Sequence, residues 1–163
     1  MDLQFFEQDG RTWLGVANAN PWLSYRDGSL LLIDWDSVDL SRPRNPMHEL
    51  TAGALSLERF VGGFGYLSQR RLGLVSGRLS EEALTRSAED ELWVVDLADP
   101  LAPRLWPERE SFTLKDDPQP VVVDDAQGLA FVVNITDHSV SVIDTTADRL
   151  RLIGADGMSL RAN

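Results

Sequence analysis

The chain has no cysteine, only two histidines and no long apolar run. Without cysteine there is no disulfide framework and no thiolate metal site, but the compartment stays open, because many exported proteins also lack the residue. No stretch approaches the ~20 apolar residues needed to span a bilayer. The opening segment, Met1-Asp2-Leu3-Gln4-Phe5-Phe6-Glu7, has neither a basic residue nor an apolar core of signal-peptide length, so an exported parent is expected to carry its signal outside these residues. Positive charge is scarce too: 15 Lys and Arg stand against 26 Asp and Glu, a net charge of -11. Nucleic acid is excluded as a partner, since counterion release needs clustered cations, and an anionic membrane surface is disfavoured for the same reason. The acidity favours solubility and leaves room for a cation or a basic partner.

What the 163 residues do contain is a repeat. Leu30-Leu31-Leu32-Ile33-Asp34, Leu92-Trp93-Val94-Val95-Asp96 and Val140-Ser141-Val142-Ile143-Asp144 are three versions of one strand ending in Asp. Ahead of them stand Gly15-Val16-Ala17-Asn18, Leu74-Val75-Ser76-Gly77 and Phe131-Val132-Val133-Asn134. The interval is roughly 50 to 60 residues, the size of a four-stranded propeller blade with loop insertions. The expected fold is therefore all-β: three consecutive four-stranded antiparallel blades of a β-propeller, one arc over residues 1–163. The blades are expected at about 1–52, 53–114 and 115–153, with 154–163 starting a further blade.

Within each blade, β-branched residues gather in the strands and Gly, Asp and Asn in the turns. The last blade reads as strands over Pro120–Val123, Leu129–Asn134, Ser139–Asp144 and Arg149–Ile153. The middle one reads as Phe60–Ser68, Arg71–Gly77 and Glu91–Asp96, with a fourth strand somewhere in Arg104–Leu114 and a helical turn at Ser80–Leu84. The first reads as Leu3–Glu7, Thr12–Asn18 and Ser29–Asp34, with a fourth strand near Met47–Thr51. Three blades are too few to close a ring of about four to eight. Either further blades of the same parent or a second copy must complete it, and the isolated arc should associate through its outer sheets.

Phe131-Val132-Val133-Asn134, followed by Asp137-His138-Ser139-Val140-Ser141-Val142-Ile143-Asp144-Thr145, resembles the YVTN family of β-propeller repeats. The aromatic-Val-x-Asn strand, the short polar turn and the Val-Ser-Val-Ile-Asp-Thr strand all match. The likeness covers residues 118–153; in the first two blades it is confined to Val16-Ala17-Asn18 and the strands ending in Asp34 and Asp96. It implies a bacterial, often exported or cell-surface protein. It also leaves two functional classes open, a binding module and a lactonase-like hydrolase with a divalent metal at the propeller axis.

Candidate sites follow from the loops. The long insertions, Asn20–Gly28 and Arg78–Asp90, both join strand two to strand three, on the edge where a protein or small-molecule ligand is expected. Trp22, Tyr25 and Arg26 suit a partner surface, the alternative being that Trp22 packs on its own blade, and His138 belongs to the matching turn of the last blade. Asp116-Asp117 is the best placed acidic pair for a hard cation such as Ca²⁺, although no spaced oxygen ligands follow and a solvated turn is the plainer reading. Asp34, Asp96 and Asp144 recur in every blade, which favours backbone N–H acceptance in the following turn over a metal-binding ring of carboxylates. Gly62-Gly63-Phe64-Gly65 lacks the helix and Lys of a phosphate loop and is expected to let main chain pack closely near the axis. His48 and His138 have no local zinc or Ser-His-Asp signature around them.

Overall fold

The computed structural model describes residues 2–18, 28–39, 41, 51–57, 60–78, 91–106, 112–114, 117–147 and 149–159, the last six of them as main-chain path only. Alternating apolar residues become strands throughout. β1 (Asp2–Gln8) and β2 (Arg11–Asn18) form a hairpin whose turn residues, Asp9 and Gly10, both have positive φ, 52° and 73°. A two-residue connection needs that backbone to follow the strand twist, and Asp-Gly supplies it at little strain. β3 (Gly28–Asp34) pairs with β2, and β4 (Ala52–Leu57) with β3.

The second sheet runs β5 (Phe60–Leu67), β6 (Leu72–Arg78), β7 (Glu91–Asp96). Its fourth position is shared by two short segments on the same edge of β7. β8 (Arg104–Leu105) lies opposite Val95 and Asp96, and β9 (Phe112–Thr113) opposite Glu91 and Leu92. The third sheet is β10 (Pro118–Asp124), β11 (Leu129–Asn134), β12 (Ser139–Asp144) and β13 (Arg151–Ser159). Every pairing is antiparallel, and the only helix among the described residues is one 3₁₀ turn, Trp35–Ser37.

Two strands fall later than the pattern suggested. The register against β3 is filled by Ala52–Leu57 rather than by Met47–Thr51. β13 continues past Ile153 to Ser159, with a bulge between Val140 and Val142 of its partner, so the main chain at 154–159 extends the fourth strand. The expected helical turn at Ser80–Leu84 lies outside the described residues.

The three sheets stack face to face. One core joins Phe6, Trp13, Leu30 and Leu32 of the first sheet to Phe64, Tyr66 and Trp93 of the second. A second core joins Leu67, Leu72, Leu74 and Leu92 of the second sheet to Val121, Val132 and Ile143 of the third. The middle sheet is thus covered on both sides, which is why its strands are apolar on both faces. Each fully buried Leu or Phe contributes about 1.5–3 kcal/mol. At the second seam the first strands come close: a Cβ on Gly63 would stand 2.9 Å from both Pro120 Cα and Val121 N, so β5 meets β10 main chain to main chain. Consecutive four-stranded meanders stacked face to face are three blades of a β-propeller.

Among the described residues the two end sheets each leave one face uncovered. On the first, Leu3 and Phe5 are 58% and 56% exposed, and the ring of Trp35 meets Phe5 edge-on at 5.1 Å. On the third, Val122, Val133 and Ile153 are exposed. In β12 it is Ser139, Ser141 and Ile143 that turn inward, while Val140 and Val142 share the outer face. Asn134 makes the serine face tolerable, donating from Nδ2 to Ser139 Oγ at 3.0 Å and Ser141 Oγ at 2.9 Å.

Candidate functional site

The hairpin turns between strands one and two and the connections between strands three and four share one edge of the arc; the strand-two-to-three loops lie on the other. The recurring aspartates end strand three and so lie on the turn edge. Asp96 Oδ1 accepts the Ala98 N–H at 2.9 Å, and its Oδ2 accepts from Arg104 Nε and Nη2 at 2.9 and 2.7 Å. Asp144 repeats the pattern with Thr146 N and Oγ1 at 2.9 and 2.6 Å and with Arg151 Nη2 at 3.3 Å. In the first blade Asp34 Oδ2 accepts from Arg11 Nη1 at 2.8 Å. Partial burial pushes the Asp96 carboxyl up, but the Ala98 N–H and Arg104 outweigh it and hold the group below the usual carboxylate value. The Thr146 hydroxyl and N–H do the same for Asp144. Asp96 and Asp144 fasten turns, the structural role expected of the repeated residue, whereas Asp34 accepts no turn N–H and joins the end of β3 to the start of β2 through Arg11.

On the loop edge, the seam between the second and third blades gathers Arg78, Asp117 and Gln119. Arg78 Nε donates to Asp117 Oδ1 at 2.5 Å. All three guanidinium nitrogens lie 3.1 to 3.3 Å from the Gln119 amide, whose oxygen is assigned to the side facing them. Ser76 Oγ donates to the Gln119 carbonyl at 3.0 Å. Asp117 has positive φ, 57°, and its carbonyl accepts the Ile135 N–H at 3.1 Å; the Ile135 carbonyl in turn accepts the His138 N–H at 3.3 Å. The main chain therefore ties Asp117 to the turn carrying His138, itself at φ 53° and exposed, with Ile135 exposed beside it.

Of the sequence-predicted residues, Asp117 and His138 are brought to one edge. Trp22, Tyr25, Arg26, Asp116 and His48 lie outside the described residues. A guanidinium beside Asp117 neutralises the charge that a divalent ion would draw on. Among the described residues no three His, Asp or Glu side chains converge as metal ligands would.

Sequence reasoning missed the residues that cross the seams. Gln8, at the end of β1, is buried: its Nε2 donates to the Leu97 carbonyl at 2.9 Å and its Oε1 accepts from the Tyr66 hydroxyl at 2.6 Å. Arg71 pairs with Asp9 at 2.5 Å, and Ser68 donates from N and Oγ to Asp125 at 3.1 and 2.6 Å. A cleft of about 520 Å³ on the turn edge, between the second and third blades, is lined by Gln69, Arg70, Asp125, Gly128, Thr145 and Thr146. Arg70 bridges it to the Ala147 carbonyl at 2.9 Å. One signal was readable: an Arg follows the strand-end Asp by eight residues at Asp96 and by seven at Asp144.

No family model matches the chain, and no curated protein matches its sequence. Among solved structures it is similar to a chain in the crystal structure of a nidogen/laminin complex, with 9% identity and a TM-score of 0.49. That similarity covers 86% of this chain and 43% of the other, so the chain spans less than half the length of that protein. The propeller class rests on the stacked four-stranded sheets themselves.

Proposed function

We propose that this chain is a non-catalytic binding module: a YVTN-type propeller arc of a larger bacterial surface or exported protein, meeting a protein or small-molecule ligand along its strand-two-to-three loop edge. The observation that carries the reading is the use made of the acidic groups. Asp34, Asp96, Asp144 and Asp117 each face an arginine, two of them with a turn N–H as well, so these carboxylates hold blades and turns together. What the loop edge offers to a partner is shape and contact: exposed Ile135, the raised turn at His138 and a half-exposed Arg78, on the edge to which Trp22, Tyr25 and Arg26 belong by sequence.

The rival reading is a lactonase-like hydrolase with a divalent ion, Ca²⁺ or another, held by Asp116 and Asp117. Calorimetric titration of Ca²⁺ into the chain and into Asp117→Ala separates the two. The binding-module reading expects the same weak, non-stoichiometric heat from both proteins. A stoichiometric site lost on substitution would overturn it in favour of the hydrolase.

A further inference from the structure

We infer that two copies of this chain associate head to tail, the outer face of the third blade of one against the outer face of the first blade of the other, closing a ring of six blades. The inference rests on the arc reading above, a second copy supplying the further blades that reading calls for, and it follows from the register of the repeat. Trp13, Leu72 and Leu129 stand opposite the strand-end aspartates Asp34, Asp96 and Asp144, and opposite Phe6, Leu67 and Asp124 in the first strands. By that alignment Leu3 and Phe5, Phe64 and Tyr66, and Val121 and Val123 occupy the same two positions of strand one.

In the two internal seams that pair faces the preceding blade. Phe64 sits over Gly15, and Phe64 and Tyr66 are 1% and 6% exposed. Val121 and Val123 sit over Gly65, where an added Cβ would meet their methyls at 2.7 and 2.9 Å. Leu3 and Phe5 have the same orientation and chemistry, and among the described residues no blade lies against them, hence their exposure. The receiving side shows the converse. Gly15 and Leu74 are buried beneath the next blade, while their counterpart Phe131 is half-exposed; Val122, the counterpart of Gly65, is 57% exposed.

The chain therefore carries both halves of a seam of the kind it already makes twice. A second copy supplies both complements at once, and two three-blade arcs fall within the about four to eight blades of closed propellers. Two-fold closure satisfies both ends and leaves no open edge for growth. The net charge of -11 on each copy opposes the encounter, so salt should favour it by screening.

Light scattering on the eluting peak of a sizing column tests this. In physiological salt the chain should run at twice its 18.2 kDa. Phe5→Asp and Val122→Asp change residues that are exposed in the lone arc, so far-UV circular dichroism should be unchanged. Each homodimer seam contains one copy of either substitution. With about 30-fold lost per seam, either variant alone should weaken the dimer about 1,000-fold, while Phe5→Leu keeps it. A monomeric parent chain would assign the two faces to blades from elsewhere and overturn the proposal. So would loss of the dimer with only one of the two Asp variants, which marks a face-to-itself contact. Mass that climbs with concentration without limit would overturn the closed ring. None of these results depends on the Ca²⁺ titration.

Discussion

Placing a methyl group at Gly15 tests how the first two blades meet. An ideal Cβ there would press into the Phe64 ring, 2.7 Å from Cδ1 and 3.2 Å from Cζ, with Cε1 nearer still. The ring has little room to yield. Phe6 lies at 6.0 Å between centroids on one side, and a Cβ on Gly73 would stand 3.0 Å from Cε2 on another. Over-filling a packed core of this kind costs about 1–3 kcal/mol. The opposing gain, a stiffer unfolded chain when Gly becomes Ala, is about 0.4–1 kcal/mol. The clash wins, and Gly15→Ala should destabilise by about 1–2 kcal/mol, lowering Tm by about 2–8 °C. Urea unfolding at fixed protein concentration, followed by the fluorescence of Trp13 and Trp93 in the same core, reads the change. Phe64→Leu alone should cost about 1–2 kcal/mol by opening a cavity, but in the Gly15→Ala background that space accommodates the methyl. The two substitutions should therefore couple favourably by about 1 kcal/mol. A fully stable Gly15→Ala, or a double variant whose loss equals the two single losses combined, would refute the picture of Phe64 seated on Gly15.

Two further predictions concern pH. Burial pushes Tyr66 up to about 12 from 10.0, so its stabilisation is complete below pH 10 and is lost as pH rises towards 12. Tyr66→Phe, which leaves Gln8 Oε1 without its donor, should cost about 1–2 kcal/mol at neutral pH and flatten the alkaline loss of stability in urea titrations. Asp96 and Asp144 have carboxyls held below 3.8 in the fold, so their contribution is present above that value and is lost as pH falls through their depressed values. Asp96→Asn should reduce the steepness of the stability loss below about pH 4, and an unchanged acid profile would show that its bonds to Ala98 and Arg104 do not matter to folding.

The strands with β-branched alternation and polar turns were legible from sequence, because each such signal is local. β4 was not: Ala52-Gly53-Ala54-Leu55-Ser56-Leu57 has no β-branched residue, and only its register against β3 makes it a strand. β13 was cut short for a related reason, since 154–163 read as the start of a further blade while the pairing against β12 runs on past Ile153 with a bulge. Reading β12 by apolarity alone would turn Val140 and Val142 inward. Ser139 and Ser141 take that side instead because Asn134, five and seven residues back, supplies their hydrogen bonds. The bonds across the seams were the least legible. Arg78 meets Asp117 across 39 residues, Tyr66 meets Gln8 across 58, and Gln8 meets Leu97 across 89, separations at which one sequence carries no pairing signal.

The middle sheet, covered on both faces, sets the order in which the protein can come apart. Each end blade borders one core and can fray while the other core stays intact, leaving a two-blade remnant. Opening the middle blade dissolves both cores in one step, because every residue of either core belongs to it or leans on it. In the lone arc cooperativity is therefore centred on β5–β7, and local opening should decline from the ends inward. A stacked arc of this kind behaves as a short one-dimensional array whose central unit determines whether its neighbours unfold together or one at a time.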